Sequence, residues 1–231
     1  MLFAILCVAR SSQDLEVQCT ASRVSIAVSR LVLWLLRLLV NRVNGSFCFA
    51  GLKLHVPKGC FAPVFMSTFL LLNVAAETVA GRLGCDVGAG CGAIALSLIR
   101  LMGVEMIGTD VDLKCLKASA ANAALNGVGA YYHPVVCAEA SCLRSKSIDF
   151  VVTNPPYLPL KPEKTVDLAL CGGERLEIFQ KILYDAVRVI GRGGILIFTF
   201  SSLSGKVEGA QMIGKKKTPL DTIYAYVYKK K

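Results

Sequence analysis

From residue 82 onward, short apolar runs of strand length alternate with longer segments of helical periodicity. That alternation confines the chain to few architectures. Parallel neighbouring strands need a long crossover, and a helix is the usual one, so a repeated strand-helix order predicts an α/β fold around a largely parallel sheet. The pattern predicts strands over 82–87, 104–109, 132–137, 148–153 and 194–200, with helices over 92–102, 113–125 and 174–190. Gly191-Arg192-Gly193-Gly194 reads as the helix stop and turn before the fifth strand. Alternation over 222–228 predicts a late strand that pairs antiparallel. Upstream, the periodicity predicts a helix over 21–42, a hairpin-like piece over 47–56 and a helix over 65–80.

The 231 residues allow one ordinary domain with an appendage and a full hydrophobic core. With 54% hydrophobic and 18% charged residues, a membrane segment has to be considered. The richest stretch, 24–40, is interrupted by Arg30 and Arg37, and residues 1–9 lack the basic start of a signal peptide. The expectation is a soluble, cytoplasmic protein with no membrane partner. Ten cysteines contain no C-x-x-C pair, so no metal site is expected, and Cys85 and Cys115 read as small core hydrophobes.

The net charge of +10 is placed at the ends. Residues 1–60 and 201–231 each carry seven Lys and Arg against two acids, whereas residues 61–200 carry twelve against twelve. Basic flanks on a neutral centre are suited to an acidic partner such as RNA, while Lys215–Lys217 and Lys229–Lys231 read equally well as a solvated tail. Arg23, Arg30 and Arg37 recur every seven residues and form one stripe of the first helix, expected to face water.

Two segments carry the chemistry. Asp86-Val87-Gly88-Ala89-Gly90-Cys91-Gly92 is a glycine-rich turn between a strand and a helix, where backbone N–H groups are free to hold an anion. Taken as Gly88-x-Gly90-x-x-Ala93, with Asp110 ending the next strand, it satisfies the dinucleotide fingerprint. Asp86, two residues before the first glycine, favours another ligand: an acid for an ammonium beside N–H groups for a carboxylate describes an amino-acid moiety. The second segment, Asn154-Pro155-Pro156-Tyr157, follows an apolar strand, and the two prolines fix the backbone where it leaves the sheet. A rigid strand end can aim the Asn154 amide and nearby carbonyls at one planar N–H group.

Together the D-x-G-x-G-x-G turn, the acid at Asp110 and the N-P-P-Y tetrapeptide resemble the class I S-adenosylmethionine-dependent methyltransferases, specifically the HemK-type glutamine amide methyltransferases of peptide-chain release factors. The resemblance spans about residues 55–200 and includes Thr109-Asp110-Val111-Asp112 with Asn122 and Asn126-Gly127-Val128 after it. It implies a Rossmann-like, mostly parallel seven-stranded sheet with helices on both faces and an antiparallel last strand. It divides the chain into an N-terminal helical extension, 1–50, and a methyltransferase domain, 51–231. The extension is short, as in the compact archaeal and eukaryotic branch.

The resemblance further implies that Asp86, Gly88, Ala89, Gly90 and Gly92 hold the methionine end of S-adenosyl-L-methionine. Asp110 would take the ribose, Val111 would flank the adenine, Glu139 would stand near its amine, and Asn154 would border the cofactor. It makes Asn154, Pro155, Pro156 and Tyr157 the acceptor clamp and a release factor the protein substrate. The same clamp fits the adenine amine of RNA or DNA, and a non-catalytic relative would keep the cofactor residues. Where the family has an acid before Thr or Ser, this chain has Met66, followed by Ser67 and Thr68. Gly172-Gly173-Glu174 resembles the family's glycine pair after the tetrapeptide, and reads equally as the start of a helix.

Overall fold

The computed structural model describes residues 15–231. The chain begins with β1 (Glu16–Cys19), α1 (Arg23–Arg42), a hairpin of β2 (Gly45–Phe49) and β3 (Leu52–Val56), and α2 (Met66–Thr78). The alternating core follows as β4 (Leu83–Val87), α3 (Ala93–Met102), β5 (Glu105–Asp110), α4 (Leu113–Leu125), β6 (Tyr132–Val136), β7 (Ile148–Thr153), α5 (Glu177–Val189) and β8 (Ile190–Ser201). Three strands close the chain: β9 (Gly205–Glu208), β10 (Gln211–Lys217) and β11 (Thr222–Lys229).

Seven strands form one sheet in the order β10-β11-β8-β7-β4-β5-β6. β8, β7, β4, β5 and β6 run parallel, and β11 lies antiparallel between β8 and β10. The expected Rossmann-like sheet is therefore present. From β4 the chain first builds outward through β5 and β6, then returns to place β7 and β8 on the other side. Such a reversal leaves a crevice at the carboxyl ends of the strands. Register aligns those ends: Val87 pairs with Thr109 on one side and Thr153 on the other.

Period-two alternation divides the core between the two faces of the sheet. Phe150, Val152, Ile195 and Ile197 pack under α2 and α3, whereas Val151, Leu196, Phe198 and Phe200 pack toward α5. At about 25 cal/mol per Å² of apolar area, a wholly buried side chain such as Phe198 contributes roughly 2 to 3 kcal/mol. Close approach requires glycine at Gly84, where an added Cβ would stand 2.2 Å from the Phe150 ring.

Several sequence expectations change. Lys215–Lys217 belong to β10, the edge strand that completes the seven, because exposed lysines also serve to protect a sheet edge. Lys230 is not a solvated tail residue either: its ammonium donates to the carbonyls of Val187 and Ile190 at 2.7 and 2.9 Å, capping the end of α5. The Gly191–Gly194 segment is the bulged start of β8 rather than a turn, with a register shift opposite Ile148 and Phe150. A Cβ at Gly194 would approach the Asp149 carbonyl to 2.6 Å. Cys115 is not a free hydrophobe, since it forms a disulfide with Cys60.

The arginine stripe is also not wholly solvated. Ser22 caps α1 by accepting from Ser25 N. Three turns later Arg37 donates Nε and Nη2 to the two carboxylate oxygens of Asp167 at 2.7 and 2.6 Å. Asp167 is wholly buried and also accepts from the amides of Glu163 and Lys164. Burial alone would raise the Asp167 carboxyl, but Arg37 and these amides bring it below its usual value. The pair ties α1 to the segment that follows the tetrapeptide. Among the described residues α1 is the one helix long and apolar enough to cross a membrane by length and composition, with a mean hydropathy of 1.7. The boundary expected between residues 50 and 51 falls in the turn of the β2–β3 hairpin, and β1 pairs with the distant β9.

Candidate active site

The crevice at the ends of β4, β5 and β7 opens into a cavity of about 860 Å³. Asp86, Gly88, Ala89 and Gly90 line it from β4, Asp110 and Val111 from β5, and Asn154 to Tyr157 from β7. Glu139, after β6, lines it too. Gly92 does not: it stands at the start of α3 with φ +85°, where an added Cβ would meet Ser119 at 3.0 Å and Leu96 at 3.2 Å. Its role is helix packing.

Asp86 is buried, and its Oδ2 accepts from Ala95 N at 3.1 Å. Burial, with the Ala95 amide opposing and the Asp110 charge assisting, pushes its carboxyl up to about 7. A cation at this position would restore the carboxylate. Asp110 bridges two segments: Oδ2 accepts from Gly90 N and Oδ1 from Asp112 N, each at 2.9 Å. Asp112 is the cap of α4, accepting from Lys114 N and Cys115 N, which relieves Asp110 of that role. Asp110 is nonetheless engaged, and the second lone pair of each oxygen is what remains for hydroxyls. Burial also raises its carboxyl. Glu139 sits at φ +50° with Oε2 3.2 Å from the Lys181 ammonium.

Asn154 is held from two sides. Thr199 Oγ1 donates to its Oδ1 at 2.6 Å, and its Nδ2 donates to Ser67 Oγ at 3.1 Å. Tyr157 is half-buried, and the desolvation of its phenol, with the Asp221 charge assisting and Ser67 opposing, lifts its pKa above the usual value. Ser204 Oγ donates to the Tyr157 carbonyl, and Leu158 forms an isolated bridge with Cys171. A Cβ on Gly172 would come within 2.7 Å of the Pro156 carbonyl. Gly172 thus braces the tetrapeptide loop, and the helix begins later, at Glu177.

Sequence reasoning missed Thr199, Ser67 and Thr68 as site residues. For Thr199 a signal existed: it is the one polar residue between Ile195 and Phe200. Ser67 and Thr68 lie on the first turn of α2 and line the cavity beside Met66. Among the described residues, the buried Thr68 Oγ1 has no hydrogen-bond partner.

These groups fit the amino-acid and ribose parts of S-adenosylmethionine. Gly88 at φ +78° and Gly90 at φ +54° leave open space where a Cβ would stand. The orphaned Thr68 hydroxyl and the N–H groups at the start of α3 can donate to a carboxylate, and Asp86 can receive an ammonium.

Comparison with known proteins identifies methyltransferase relatives. Residues 62–208 match the family described as Methyltransferase small domain. A protein named as an N5-glutamine methyltransferase from Methanocaldococcus jannaschii is 26% identical, over 68% of this chain and 80% of its own length. The release factor glutamine methyltransferase of Bradyrhizobium diazoefficiens is 32% identical over 68% of this chain, and the match spans 58% of the relative. Among solved structures, the Thermus thermophilus 16S rRNA N2 G1207 methyltransferase in complex with AdoMet and guanosine shares the fold. Its TM-score is 0.59 at 21% identity, over 82% of this chain and 50% of that one.

Proposed function

We propose, for a chain that belongs to the methyltransferase small domain family, that the methyl acceptor is the side-chain amide of a glutamine in a peptide-chain release factor. The protein is a HemK-type N-methyltransferase that uses S-adenosylmethionine. The observation that carries the choice of acceptor is the charge of the cavity lining. Its acidic members are Asp86, Asp110, Asp112, Glu139 and Asp221, and among the described residues no Lys or Arg lines it. A nucleic-acid strand brings phosphates that proteins meet with cations, and the described lining offers none for them. The lining is otherwise largely apolar and includes Leu35, Leu36 and Leu39 of α1 with Phe61, Phe65 and Leu168. Such a lining suits a peptide.

When bound, S-adenosylmethionine supplies a methyl group on a sulfonium, which passes to the amide nitrogen as sulfur keeps the bonding pair and the nitrogen releases one proton. The residues must position a nitrogen whose lone pair is delocalised into its carbonyl. Asn154 Oδ1 and the Pro155 carbonyl each accept one N–H, which turns the nitrogen lone pair toward the methyl. Orientation of this kind lowers a barrier by several kcal/mol, and acceptors aimed at the developing positive charge add to it. Tyr157 covers the amide and excludes water. Asp86 fixes the cofactor's ammonium and Asp110 its ribose hydroxyls.

An Asn154→Ala variant separates binding from transfer. Calorimetry should show S-adenosylmethionine bound as in the parent, while methyl transfer to a release factor is lost. Transfer at the parental rate would contradict the clamp.

A further inference from the structure

The Asn154 amide is partnered inside the protein at both ends, and the two partners differ in what they can do. Thr199 is wholly buried near the carboxyl end of β8, in a run otherwise made of Ile195, Leu196, Ile197, Phe198 and Phe200. Valine has nearly the same shape, so packing alone does not require a hydroxyl there. Leaving a buried hydroxyl without a partner is unfavourable, and the partner here is a side chain, Asn154 Oδ1 at 2.6 Å. Thr153, the equivalent polar residue of β7, instead donates to the Val87 carbonyl, a backbone group.

Ser67, also buried, reaches Asn154 from the first turn of α2, where its Oγ accepts from Nδ2 at 3.1 Å. A serine has one proton to give. Accepting from Nδ2, Ser67 keeps that proton for another partner, while Oδ1 accepts from Thr199, so the two hydroxyls are arranged for one flip of the amide. The terminal torsion of an asparagine is otherwise close to two-fold, and the opposite flip would present an N–H to the acceptor's N–H.

We infer that Thr199 and Ser67 are positioning residues that lock the Asn154 amide in the single orientation whose Oδ1 retains a lone pair for the acceptor nitrogen. The inference rests on Asn154 being the acceptor clamp. It adds specificity to the same site, because a locked oxygen selects acceptors that donate N–H and rejects those that present an oxygen acceptor.

Steady-state kinetics on the full chain, with a release factor as acceptor, test it through Thr199→Val, Thr199→Ser, Ser67→Ala and Asn154→Ala. Thr199→Val should lower kcat by about 10- to 100-fold, with the acceptor KM and the S-adenosylmethionine Kd within about threefold of the parent. Thr199→Ser should recover kcat to within about threefold, and Ser67→Ala, on a different element, should repeat the kcat loss if the valine variant does not fold. If Thr199→Val keeps the parental kcat while Asn154→Ala is inactive, the positioning role is wrong and the clamp stands. A serine variant as impaired as the valine variant would also overturn it, by showing that the methyl group and not the hydroxyl matters. Activity in Asn154→Ala would overturn both the clamp and the inference built on it.

Discussion

Asp86 is the residue whose chemistry is most exposed to a simple experiment. Its carboxyl is pushed up to about 7 by burial, with no cation beside it in the protein itself. Folding therefore favours its protonated form, and the stability this contributes is fully present below the unfolded value near 4 and is lost as pH rises through about 7. A bound ammonium reverses the preference, because it needs the carboxylate. The affinity for S-adenosylmethionine should consequently strengthen from pH 6 to pH 8, and the rise in Tm on adding it should grow over the same interval. Calorimetric titration across that range checks the first, and an affinity that stays flat would contradict the role of Asp86. At this scale the sequence revealed the residues at strand ends, because each belongs to a short contiguous motif. It did not reveal Thr199 or Ser67. Their importance comes from meeting Asn154 across 45 and 87 residues of chain, a property of register and packing and not of local pattern.

Among the elements, α1 and α4 each carry a linkage that a single substitution can cut. The Arg37 guanidinium is the charged partner of the wholly buried Asp167, and removing one member of such a pair typically costs about 3 to 5 kcal/mol, because the other is left buried and uncompensated. Arg37→Ala should lose stability of that order in urea unfolding, and a loss under about 1 kcal/mol would show that the pair does not anchor α1. Asp167 has its carboxyl lowered, so its contribution is present above the unfolded value near 4 and disappears as pH falls through the folded one. The Cys60–Cys115 disulfide closes a loop of 55 residues between the segment before α2 and the first turn of α4. Loop-closure entropy gives such a bridge about 4 kcal/mol. Reduction with dithiothreitol should shift the urea midpoint down, an effect that Cys115→Ser reproduces, and an unchanged midpoint would contradict it. The helices and parallel strands were legible from periodicity, to within a few residues at their ends. β10 was not, because its lysine-rich run has no buried face to mark it: Gln211, Met212 and Ile213 are all exposed. The β1–β9 pairing joins segments about 190 residues apart and leaves no local trace.

For the whole molecule, the open question in the sequence was whether the clamp closes on glutamine or on adenine, since the basic flanks favoured nucleic acid. Topology weakens that argument. β11 runs antiparallel to β8, so Lys229 pairs with Ile195 at the end of the sheet away from the carboxyl-terminal crevice. Lys215–Lys217 lie nearer the crevice but on the outer edge strand, and among the described residues the cavity lining holds Asp and Glu side chains but no Lys or Arg. Net charge was readable from the chain, but its position relative to the site needed the fold. The most direct measurement supplies S-adenosylmethionine with a labelled methyl group to the purified protein, together with a release factor and adenine-containing single-stranded RNA and DNA. Mass spectrometry then locates the label. It should be found on the side-chain nitrogen of a glutamine in the release factor and be absent with Asn154→Ala; label on adenine alone, with the release factor unmodified, would contradict the account.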